Sequence, residues 1–81
     1  MITNDAVKET LLLNKEVKLA EVTGDGYHFH VTLVGSMFEG LSKLKRQQWV
    51  YSKLNAYITS GELHALTMTT LTEQEWEKNN G

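Results

Sequence analysis

Three histidines, His28, His30 and His64, are the side chains best suited to hold a transition metal, because a neutral imidazole offers a lone pair and the sequence contains no cysteine. The missing cysteine also removes thiolate zinc sites, thiol nucleophiles, disulfide frameworks and redox pairs. No two histidines stand at the His-x-x-x-His spacing of one helical face. Taken singly, each reads as an ordinary surface or core side chain. Strand parity sets His64 beside Leu66 and Met68 on an apolar face, at the start of a strand where one imidazole edge can reach solvent.

Other chemistries find less support. The run from Gly35 to Ser42 has the glycine spacing of a phosphate-binding loop between a strand and a helix, but Leu41 stands where a lysine must reach the phosphates. Nucleotide hydrolysis is excluded, and the run reads as a structural loop. No local grouping of serine, histidine and carboxylate suggests a nucleophilic triad, so the chain is not read as an enzyme. With a net charge of -2 the molecule has no overall attraction for nucleic acid. Any DNA contact falls to one basic cluster, Lys43, Lys45 and Arg46, which also reads as a solvated helix face.

The elements that must position these residues follow from periodicity. Eighty-one residues, 41% hydrophobic and 22% charged, make one small globular domain over residues 1–81, whose core has no side chains to spare for a large pocket. No basic segment leads into an apolar run, and Leu11-Leu12-Leu13 is far short of the ~20 residues a membrane span needs, so a cytoplasmic protein is expected. Thr3 caps a first helix over residues 3–15, with Ile2 stapled onto Val7. Val17–Val22 is a strand, Thr23–Gly26 a turn, and Tyr27, Phe29, Val31 and Leu33 alternate with His28, His30 and Thr32 in a second strand. Ser42 caps the longest helix, Lys43–Ser60, with Gly61 at its end. A third strand spans Leu63–Thr70, and Thr72-x-x-Glu75 is a capping box opening a short helix that carries Trp76. The fold class is therefore α+β in the order αββαβα, a three-stranded mixed sheet with the third strand parallel to the second and helices on one face. Phe29, Val31, Leu33, Val50, Leu54, Ile58, Leu66 and Met68 are the expected core.

That order resembles the nucleic-acid-binding KH fold, without its Gly-x-x-Gly clamp. A more specific resemblance rests on Val34 to Ser42, with Phe38, Gly40 and Ser42 as its motif positions, on Leu63-His64-Ala65-Leu66, and on Thr70-Leu71-Thr72-x-x-Glu75-Trp76. These segments look like the BolA family over about residues 17–78, and His28-Phe29 is similar to its bacterial YrbA-type branch. The resemblance implies a KH-like fold of the second class and two roles. One is partnership with a monothiol glutaredoxin around a shared 2Fe-2S cluster, whose other ligands are the glutaredoxin cysteine and glutathione; the isolated protein, a monomer or weak homodimer, would carry no cluster. The other is DNA binding in transcriptional control. The family's ligand histidine maps onto His64. A second ligand, His or Cys, usually lies in the loop between the first two strands; Thr23–Tyr27 has neither, and His28 is the nearest substitute.

Overall fold

A computed structural model describing residues 2–80 shows the αββαβα order. Thr3 starts α1 (Asn4–Leu12), its hydroxyl accepting the Ala6 amide at 3.1 Å, while Ile2 and Val7 are both buried in the core. The helix stops short of residue 15 because Asn14 turns back on Leu11, its backbone and side-chain amides both donating to the Leu11 carbonyl. β1 (Val17–Gly24) is two residues longer than its β-branched run, since Thr23 and Gly24 still pair with His30 and Phe29 of β2 (His28–Gly35).

β2 is the centre of the sheet, antiparallel to β1 and parallel to β3 (Ala65–Leu71). Its odd positions Phe29, Val31 and Leu33 point into the core and meet Val7 and Leu11 of α1 and Val50 and Leu54 of α2 (Lys43–Thr59). Leu66, Met68 and Ile58 pack against this cluster but are only partly buried. Val34 has the opposite parity and is buried outside the cluster, at the end of the sheet where α3 (Glu73–Asn80) touches β2 and β3. Lys18 of β1 reaches Glu73 of α3 there at 3.2 Å.

The glycine-spaced loop has structural causes throughout. Phe38 ends a short 3₁₀ turn (Ser36–Phe38), is fully buried, and meets the Trp49 ring edge-on at 5.5 Å. Its burial contributes about 1.5–3 kcal/mol, making it a core residue that strand and helix periodicity could not reveal. At Gly35 a Cβ would collide with the Met37 side chain and the Glu16 carbonyl, and Gly40 takes φ +76°, where other residues are strained. Ser42 caps α2 by accepting the Lys45 amide at 3.2 Å.

Arg46 binds this loop to the rest of the fold. Its Nε donates to the Leu41 carbonyl at 3.0 Å, and its Nη1 donates to the Thr70 carbonyl at 3.2 Å and to Glu75 Oε1 at 2.7 Å. The guanidinium also lies 5.9 Å from the Phe38 ring centroid. Glu75 completes the capping box, accepting the Thr72 amide while its own amide donates to the Thr72 hydroxyl. The Arg46 hydrogen bond, then that from the Thr72 amide, holds the Glu75 carboxyl below its usual range.

Candidate metal-ligand site

Asp25 shapes the turn between β1 and β2. Its Oδ1 accepts the amides of Tyr27 at 2.9 Å and His28 at 2.8 Å, a side-chain turn that sends the chain back into β2. These two backbone bonds, His28 first, lower the Asp25 carboxyl to about 2. The charged carboxylate remains beside His28, with Oδ2 3.6 Å from Nδ1.

The sheet register brings the second histidine to the same place. His28 lies opposite Ala65, and the Ala65 amide donates to the Tyr27 carbonyl at 3.2 Å, so the residue before Ala65 arrives beside Tyr27. That residue is His64. Its ring stacks on Tyr27 at 4.8 Å with an interplanar angle of 15°, while the His28 ring meets Tyr27 edge-on at 4.8 Å and 71°. One exposed aromatic ring thus carries both imidazoles. The expectation that His64 shares the apolar face of β3 is corrected: the strand starts at Ala65, and His64 is exposed between buried Leu63 and paired Ala65.

Beside His64 lies an open depression of about 310 Å³, formed by Asp25–Tyr27 on one side and residues 60–62 on the other. Ser60 braces that second wall, its hydroxyl donating to Glu62 Oε1 at 3.0 Å. Asp25 and Glu62 make the rim acidic. Among the described residues no three or more His, Cys, Asp or Glu side chains are grouped to hold a metal, so a site here would take at most two ligands from this chain. The donors that are present suit such a shared site: two exposed imidazoles at one end of the molecule.

His30 differs from both. Although it follows His28 on the same strand face, its Nδ1 lies 2.7 Å from Thr67 Oγ1 and its Nε2 3.2 Å from Thr69 Oγ1, so both ring nitrogens are engaged. Sequence reasoning missed Tyr27 and Asp25. An aromatic residue beside a histidine after Asp-Gly was a visible signal, but its contact with His64 depends on the parallel register.

The basic cluster lies elsewhere. Lys43 and Lys45 are exposed in the first turn of α2, whereas His64 follows the other end of that helix, ~25 Å away for 17 residues. Arg46 points inward, its side chain 14% exposed, so the expected three-residue cluster presents two free cations. Phe38, Gly40 and Ser42 serve the core, the turn and the α2 cap respectively.

Comparison with known proteins bears on the same segments. The family model described as BolA-like protein matches residues 3–75. The chain belongs to the BolA-like family. Among its relatives, the acid stress protein IbaG of Escherichia coli (strain K12) is 36% identical over 75 residues, which span 93% of this chain and 89% of that protein. A solved BolA homologue from Coxiella burnetii superposes with a TM-score of 0.82 at 32% identity, covering 95% of this chain and 99% of that one. The BolA domain of SufE1 from Arabidopsis thaliana gives 0.79 at 27% identity, covering 89% and 93%. The mixed three-stranded sheet with three helices is therefore the fold of this BolA-like family.

Proposed function

We propose that this BolA-like protein is a non-enzymatic adaptor that partners a monothiol glutaredoxin and shares a 2Fe-2S cluster with it in iron-sulfur trafficking or in iron and stress regulation. The observation that carries the reading is the pair of exposed imidazoles, His64 and His28, set against one Tyr27 ring in a chain without thiolates. His64 is the main ligand and His28 the second, while the glutaredoxin cysteine and glutathione supply the rest. When bound, such a cluster supplies electron storage, and nitrogen ligation raises its potential relative to all-thiolate sites. This chain's residues hold the imidazoles outward: Leu63 and Ala65 fix the backbone around His64, and the Asp25 turn fixes the backbone of His28.

The name of the Escherichia coli relative fits a pH-sensitive adaptor, because an imidazole must lose its proton before it can bind iron. The test compares wild type with His64→Ala, His28→Ala and His30→Ala in mixed-complex assembly, visible circular dichroism and nitrogen couplings by pulsed EPR of the reduced cluster. His64→Ala should remove a nitrogen coupling without unfolding the domain, and His30→Ala should leave the spectra unchanged. Spectra identical for wild type and His64→Ala would sink the ligand assignment.

DNA-binding transcriptional control is the weaker reading. The tethering of Arg46 leaves two lysines of that cluster, Lys43 and Lys45, to neutralise phosphates, which supports a modest and salt-sensitive affinity at most.

A further inference from the structure

The two edges of the sheet are built differently. β1 carries a bulge between Val17 and Leu19 and the charged residues Lys18 and Glu21, features that discourage another strand from pairing there. β3 has none of these protections: Ala65–Leu71 contains no charge, no proline and no glycine, and pairs with β2 in unbroken register.

Its outward backbone can be identified. The Ala65 amide donates to Tyr27, so in a parallel ladder the backbone groups of Ala65, Thr67 and Thr69 face β2, and those of Leu66, Met68 and Thr70 face away. The Arg46 bond to the Thr70 carbonyl agrees with that parity. No described hydrogen bond outside the ladder engages the amide or carbonyl of Leu66 or Met68.

We propose that this edge pairs with the same edge of a second copy, antiparallel about Met68, to form one six-stranded sheet. The sequence is self-complementary in that arrangement. Met68 faces Met68 of the second copy as a hydrogen-bonded pair, and Thr67 faces Thr69 of the second copy on the exposed side, a favourable cross-strand pairing. Leu66 meets Thr70 of the second copy, whose carbonyl already accepts Arg46 and takes the Leu66 amide on its second lone pair, and the apolar side chains of Leu66 and Met68, already packed on each core, become continuous across the seam. With no charged residue in β3, no like charges are brought together. A two-strand seam is small beside the ~1,600 Å² of a standard interface, so association is weak and concentration-dependent.

The absence of cysteine makes a clean test available. Thr67→Cys and Thr69→Cys are oxidised separately at high protein concentration and as an equal mixture. A non-hydrogen-bonded antiparallel pair suits a disulfide, so the mixed 67–69 cross-link should exceed either like-with-like product several-fold. Sedimentation equilibrium of the unmodified protein should show reversible dimerisation, with the Leu66 and Met68 amides exchanging more slowly as concentration rises. Thr67→Lys/Thr69→Lys, checked for folding by circular dichroism, should abolish both effects. Cross-linking in statistical proportion, or a monomer whose Leu66 and Met68 amides are insensitive to concentration up to the millimolar range, would overturn self-pairing at this edge.

Discussion

Asp25 acts as a turn residue and as a neighbour of a candidate ligand, and acid separates the two states of its carboxyl. The group is lowered from 3.8 to about 2 because its ionised form accepts the His28 and Tyr27 amides. A depressed carboxyl stabilises the fold above its unfolded value and loses that contribution as pH falls through the folded value, so the window lies between about 3.8 and 2. Carboxyl NMR should find Asp25 titrating near 2, and the Tyr27 and His28 amides should exchange faster across that window. A titration at the ordinary value would show that the turn does not hold the carboxylate. Residue type alone marked His28 and His64 as metal-capable, but it could not separate them from His30, whose ring nitrogens are engaged by threonines on the neighbouring strand.

Helices and strands were legible where local chemistry determines them. The Thr3, Ser42 and Thr72–Glu75 caps all form, because each hydroxyl or carboxylate reaches an orphan amide within one turn of its own backbone. The inward turn of Arg46 was not legible, since its partners come from the loop before α2, the end of β3 and the first turn of α3. Arg46→Ala should destabilise the domain by about 1.5–3 kcal/mol in urea unfolding, and Arg46→Lys should recover only part, because an ammonium cannot reproduce the fork. Equal stability of wild type and Arg46→Ala would show that Arg46 does not clamp the loop to β3 and α3. Acid acts in the same direction: Glu75 stabilises α3 above the ordinary carboxylate value and stops doing so as pH falls through its lowered one.

Across the whole molecule, the acidic histidine end and the basic start of α2 are held apart by the length of that helix. If duplex DNA binds the basic end, Lys43→Ala/Lys45→Ala should flatten the salt dependence by up to ~2 log units in affinity per log unit of salt, two phosphate contacts' worth. An unchanged slope in titrations at several salt concentrations would exclude these lysines from a DNA interface. No helix among the described residues is long and apolar enough to cross a membrane. Element order, caps, the alternation of β2 and the absence of thiol chemistry followed from the sequence by itself, because each depends on neighbours within one or two turns or on composition. Only the tertiary structure set His64 on Tyr27, drew Arg46 away from solvent and buried Phe38, because these depend on the parallel register of β3 against β2 and on packing between segments distant along the chain.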